Sequence, residues 1–256
     1  MNHDEKRVWL IKYLLDEADY ANEIPQGVLE QRRLLRGLMN MRAPMPIGED
    51  FLAVQDEYLR ERLEERGVVD VAGLSPMRDR LYLWRGDITR LNADAIVNAA
   101  NSGMTGCYQP NHGCIDNVIH TMAGVQLRLK CNALMQAQGY PEPTGRAKLT
   151  PAYNLPSRYV LHTVGTICYG GAVTPKNVQE LQSCYRACMA LADREGLRSV
   201  AFCCISTGVF GFPQRRGAQV AVDTVRECLK AGSRVEKVIF NVFKPEDEDY
   251  YRAMLA

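Results

Sequence analysis

A chain of 256 residues has room for one sizeable α/β domain with an appendage, or for two small domains. Its 31 basic and 30 acidic residues nearly cancel, to a net charge of +1, with no basic stripe or polybasic block, which argues against nucleic acid or an anionic membrane as partner. At 46% apolar and 24% charged the composition is that of an ordinary globular protein, and stretches such as "SVAFCCIS" (199–206) fall far below the roughly 18 residues of a membrane span.

Residues 1–76 read as a helical extension. Leu10, Ile11, Leu14 and Leu15 recur at helical spacing, as do Leu34, Leu35, Leu38 and Met39, and again Phe51, Val54, Tyr58, Leu59 and Leu63. Pro25-Gln-Gly27 and the run Ala43 to Gly48 separate these helices, and "GVVDVAGLSP" (67–76) reads as a connection. Three helices with apolar faces seldom stand alone, so they are expected to pack on the rest of the chain. The first residues, "MNHDEKRVW", mix acids with bases and lead into no apolar signal core. A cytoplasmic location is therefore the expectation, with the nine cysteines reduced.

Beyond residue 77 strands alternate with helices. "RLYLWRGD" (80–87) and "ADAIVNAAN" (93–101) read as strands, and "IDNVIHTMAGVQLRLKCNALMQAQG" (115–139) as one long helix ending at Gly139. "AKLTPAYNL" and "RYVLHTV" read as strands, 177–196 as a helix, "SVAFCCI" as a buried strand, 213–232 as a helix and "EKVIFNVF" as a last strand. The acidic tail "PEDEDYYRAML" reads as a final helix. This alternation predicts a mixed, mostly parallel sheet with helices on both faces, where ligands bind outside the carboxyl ends of the strands.

Two loops fall at such ends. "STGVFGFP" (206–213) follows a buried strand and opens a helix. Its backbone N–H groups and the helix N-terminus suit an anion, Gly208 and Gly211 permit close approach, and Phe210 can cover the ligand. "RGDITRLNADAIVNAAN" (85–101) places Asp87 at a strand end, where its carboxylate can accept from an exocyclic amine or simply cap a turn. Asn98 and Asn101 can grip sugar hydroxyls or satisfy local backbone. A third stretch, "GCYQPNHGC" (106–114), puts Cys107, His112 and Cys114 within eight residues. From the residues alone these are either loop thiols beside a solvated histidine or three soft ligands suited to Zn²⁺. Three protein ligands, with no fourth nearby, leave a position for water or substrate, as in catalytic zinc sites.

In this order and near these intervals, "GDIT", "AIVNAAN", "IDNVIH…AG" and "STGVFGFP" resemble the macrodomain family of ADP-ribose-binding modules, some of which hydrolyse ADP-ribose from proteins. The resemblance covers residues 77–256 and implies a three-layer α/β/α fold. It implies that Asp87 contacts the adenine amino group, with a backbone contact from Ile88, and that Asn101 holds the distal ribose. Ser206, Thr207, Gly208, Val209 and Phe210 would wrap the diphosphate and distal ribose, and Phe243 would stack on adenine. Hydrolase macrodomains usually carry a glycine-rich run where this chain has "GMTGCYQPNHGC". That substitution resembles the zinc-containing macrodomain subgroup of microbial proteins, which also carry a helical N-terminal extension.

The subgroup implies one zinc ion on Cys107, His112 and Cys114, with Cys107 also against the ribose. Asn101 and Asp116 are the expected catalytic residues. Asp116 would serve as base or orient the ribose or a water, and it also suits a helix N-terminus on dipole grounds. His120 and His162 are expected to be structural. The leading expectation is thus a zinc-dependent hydrolase acting on mono-ADP-ribosylated protein, as a monomer. A non-catalytic reader of ADP-ribose, or a hydrolase of a small ester such as O-acetyl-ADP-ribose, are the alternatives.

Overall fold

Six short, mostly apolar strands form one sheet in the order β1-β6-β5-β2-β4-β3. They are β1 (Leu81–Arg85), β2 (Ala95–Ala100), β3 (Ala147–Pro151), β4 (Tyr159–Val164), β5 (Ser199–Phe202) and β6 (Lys237–Val242). The computed structural model describes residues 1–21 and 23–256. All pairings are parallel except β3 with β4, so the sheet is mixed and mostly parallel, as the alternating pattern predicts. The central strands are buried on both faces, which is why they read as continuous apolar runs.

Among the described residues eight α-helices accompany the sheet: α1 (His3–Glu17), α2 (Val28–Met41), α3 (Glu49–Arg66), α4 (Ile115–Ala123), α5 (Val125–Gln138), α6 (Pro175–Arg194), α7 (Gln214–Lys230) and α8 (Pro245–Leu255). Register assigns their faces. Phe202 pairs with Phe240 and these rings meet Tyr185 of α6 and Tyr251 of α8, each at 5.0 Å between centroids. Ile96 of β2 pairs with Ala201, one residue before Phe202, so Ile96 and Asn98 face the opposite side. There Asn98 meets Asp116 of α4, and its register partner His162 meets Cys131 of α5. Helices therefore cover both faces, and the functional loops gather at the carboxyl ends of β2, β5 and β6.

The expected single helix over 115–139 is two helices. Gly124 sits at φ 94°, ψ 172°, and the N–H of Val125 is taken by the side-chain oxygen of Gln55 in α3 at 2.9 Å. A Cβ at Gly124 would lie 2.6 Å from Gln55 Nε2, so only glycine admits this approach of the extension. Gly139 caps α5 in the left-handed conformation, at φ 77°, as predicted.

The extension has its own apolar cluster, built from residues such as Leu10, Ile11, Leu14, Leu38, Phe51 and Leu59, to which Val125 is the contribution of the following domain. Its docking onto that domain is largely polar. Buried Arg128 of α5 donates to the carbonyls of Met39 and Asn40, in the last turn of α2 where helical partners are lacking, and to that of Arg42, the C-cap. Residues 67–76 form more than a linker, since Val69 bridges Leu91 and Val71–Gly73 make one 3₁₀ turn. Among the described residues no helix is long and apolar enough to cross a membrane.

Candidate active site

Asn101 leaves the carboxyl end of β2 and closes a tight turn. Its side-chain oxygen accepts from Gly103 N–H at 2.9 Å, and its amide donates to the Gly106 carbonyl at 3.0 Å and to Asp116 Oδ2 at 3.2 Å. The loop so anchored runs directly into Cys107. Cys107 Sγ lies 3.6 Å from His112 Nδ1, and the ligand atoms of Cys107, His112 and Cys114 all fall within 4.8 Å of one another. All three residues are half-buried. Tertiary structure thus brings the three soft donors together, a spacing that one ion can bridge.

The N-cap of α4 is Cys114, whose sulfur accepts the Asn117 N–H at 3.5 Å. Asp116, which dipole reasoning placed as a helix cap, lies one step into the first turn and points into the domain instead. It is buried, with Oδ1 accepting from Asn98 at 2.8 Å and Oδ2 from Asn101. Burial raises its carboxyl to about 6, although the Asn98 and Asn101 hydrogen bonds and Arg128 pull the other way. Burial also pushes the Cys114 thiol up to about 11, reinforced by neighbouring Cys107.

Asn98 does not face a ligand. It is fully buried, donating to Asp116 and, at 3.2 Å, to His162 Nδ1, so His162 Nε2–H donates to Thr150 Oγ1 at 2.9 Å. Burial keeps His162 neutral, lowering it to about 3, and lowers His120 as well. His120, Cys131 and His162 also come within metal-binding distance of one another. Burial raises the Cys131 thiol to about 12 and both nitrogens of His162 have protein partners, whereas neither buried nitrogen of His120 has one.

The second half of the site is the β5–α7 loop. Ser206 adopts φ 66° and Gly211 φ 70°. Phe212 N–H donates to Ser206 O and Gly211 N–H to Gly208 O, both at 3.0 Å, while Cys168 N–H holds Phe210 O at 2.7 Å. Among the described residues the N–H groups of Gly208, Val209 and Phe210 have no partner within the protein, so a run of three amides stands available to an anion. Val209 and Phe243, which follows β6, are largely exposed. Ile88 is buried, and beside it Asp87 caps a 3₁₀ turn (Ile88–Arg90) through Thr89.

The Asp87 carboxylate has a partner that no short motif foretold. Arg66, the last residue of α3, donates to Asp87 Oδ2 at 2.8 Å and to Thr89 Oγ1 at 3.0 Å. The extension therefore reaches the Asp87 turn that follows β1.

Residues 97–221 match the family model described as Macro domain. The chain is 50% identical over its whole length to a relative from Treponema medium named protein-ADP-ribose hydrolase, of which it also covers the whole. This chain belongs to the macrodomain family. A protein-ADP-ribose hydrolase from Staphylococcus aureus (strain MSSA476) is 47% identical over 90% of the chain and 86% of the relative. Among solved structures, a Trypanosoma brucei macrodomain in complex with ADP-ribose superposes with a TM-score of 0.66 at 30% identity, over 86% of this chain and 95% of that one. The macrodomain fold predicted from the four ordered motifs is thus present, and the loops after β2, β5 and β6 occupy the strand ends where α/β folds bind ligands.

Proposed function

We propose that this macrodomain hydrolyses mono-ADP-ribose from modified protein side chains, with a zinc ion held by Cys107, His112 and Cys114. Hydrolysis is supported by the two relatives at 50% and 47% identity named for that activity. The zinc reading is supported by one observation above the others: the donor atoms of the three residues lie within 4.8 Å of one another, in a loop that the Asn101 amide anchors through its 3.0 Å hydrogen bond to Gly106 O. This arrangement favours a ribose held by Asn101 lying beside the trio.

The residues divide the work by position. Gly208, Val209 and Phe210 offer main-chain N–H groups to the diphosphate, with the N-terminus of α7 behind them. Asp87, steadied by Arg66, accepts from the adenine amino group, and the exposed Phe243 ring is free to stack on the base. Asp116 acts as a positioning residue, because both its oxygens accept amide hydrogens and it has almost no surface of its own. It fixes the Asn101 amide, and Asn101 in turn orients the distal ribose. Bound at the trio, zinc supplies Lewis acidity towards a ribose hydroxyl or a water.

The deciding experiment combines metal analysis with turnover of a mono-ADP-ribosylated protein, followed by release of free ADP-ribose. Cys107→Ser and His112→Ala should lose metal and turnover together, and chelation should reproduce the loss. Binding of ADP-ribose with no release would make the protein a reader. Undiminished turnover in the metal-free variants would overturn the zinc reading. Turnover of O-acetyl-ADP-ribose but not of modified protein would reassign the substrate.

A further inference from the structure

The loop that carries Cys107, His112 and Cys114 is held by two residues, Arg36 and Asn117, which between them contact all three. Fully buried Asn117 gives its N–H to Cys114 Sγ, and its amide donates to the carbonyls of Cys107 at 3.4 Å and Gln109 at 3.0 Å. Its side-chain oxygen is gripped by Arg36 of α2, through Nε at 3.2 Å and Nη2 at 2.8 Å. The same Nη2 donates to the His112 carbonyl at 2.8 Å. Arg36 forms no ion pair with a carboxylate among the described residues, so its guanidinium is committed to the Asn117 amide and the His112 carbonyl.

The rest of α2 follows the loop. Asn40 accepts from Asn111 N–H at 3.0 Å and donates to Thr121 Oγ1 at 2.9 Å. A Cβ at Gly37 would stand 3.1 Å from Asn111 Nδ2, so helix and loop lie in close apposition. Ordering a loop costs conformational entropy residue by residue, and a loop already ordered leaves less of that cost to metal binding.

We infer that Arg36 and Asn117 are positioning residues for the metal site, so that the N-terminal extension sets the affinity with which the macrodomain holds its ion. This rests on the zinc reading of Cys107, His112 and Cys114. Guanidinium geometry matters here, because one planar fork spans the Asn117 amide and the His112 carbonyl, and lysine has no such fork.

The test uses the full chain stripped of metal and titrated with Zn²⁺ against a chromophoric chelator. In parallel, iodoacetamide labelling of Cys107 and Cys114 is followed in the metal-free protein. Arg36→Ala should weaken zinc binding by about 10- to 100-fold, the range for groups that orient metal ligands, and should speed labelling of both cysteines. Arg36→Lys should fall between it and wild type, and carries the comparison if the alanine variant does not fold. Arg33→Ala removes the same charge from an exposed position on α2 and should leave both readings at wild type. Wild-type zinc affinity in Arg36→Ala, or an equal loss in Arg33→Ala, would overturn the inference while the zinc reading stands. Failure of wild type to take up zinc would overturn the zinc reading. Labelling would then test the clamp alone, and equal rates in wild type and Arg36→Ala would overturn that too.

Discussion

Two glycines of the β5–α7 loop, three residues apart, should respond oppositely to the same added methyl group. At Gly211 the backbone is left-handed, and a Cβ would stand 2.8 Å from the main-chain oxygen of Cys168. Left-handed geometry costs an L-residue about 1–2 kcal/mol, while alanine recovers about 0.4–1 kcal/mol by restricting the unfolded chain. The clash therefore decides the sign. Cys168 cannot easily withdraw, because its own N–H is bonded to Phe210 O at 2.7 Å. Gly211→Ala should lose about 1–3 kcal/mol in urea unfolding and roughly 2–10 °C in Tm. At Gly208 a Cβ meets nothing within 4 Å, and its φ lies outside the left-handed range. Gly208→Ala should keep wild-type stability within about 0.5 kcal/mol. In calorimetric titration it should bind ADP-ribose about 10- to 100-fold more weakly, the worth of one charge-assisted hydrogen bond held off by the methyl. Wild-type stability in Gly211→Ala, or wild-type ADP-ribose affinity in Gly208→Ala, would refute this account of the loop.

Buried charge should shape the acid limb of stability. Asp116 titrates at about 6 in the fold against 3.8 otherwise, so its contribution is full below pH 3.8 and lost as pH rises through 6, about 3 kcal/mol in all. His162 falls from 6.5 to about 3, so its contribution is present above pH 6.5 and lost towards pH 3, at about 1.4 kcal/mol per pH unit. Urea unfolding between pH 4 and 7 should then show a steeper acid loss in Asp116→Asn and a shallower one in His162→Gln; parallel curves would contradict both assignments. Arg66→Ala should weaken ADP-ribose binding by up to about fivefold, the value of a partly exposed ion pair, and leave ribose 5-phosphate binding unchanged. Equal losses for both ligands would remove Arg66 from the adenine end.

Local chemistry made much of this protein legible in its sequence. Strands buried on both faces must be continuous apolar runs, and helices show an apolar stripe, so the order of elements from 79 to 256 could be read almost residue by residue. The helix break at Gly124 escaped because nothing local demands it: Gln55, 70 residues earlier, takes the Val125 N–H. Asn98 and Asn101 looked alike as amides at one strand end. The two-residue period and the sheet register separate them, sending Asn98 into the core beneath α4 and leaving Asn101 at the turn.

By itself the sequence determined the mixed α/β sheet, the glycine-bearing loop after β5, and a trio of soft donors within eight residues, because each depends on neighbours along the chain. Tertiary structure alone decided that the trio converges within 4.8 Å, that Asp116 is buried against two amides, and that Arg36 of the extension reaches the His112 carbonyl and Arg66 the Asp87 carboxylate. The physical reason is that a carboxylate's proton affinity and an arginine's partner are set by whatever packs around them. Those neighbours come from segments tens of residues apart, brought together only when the extension docks on the sheet.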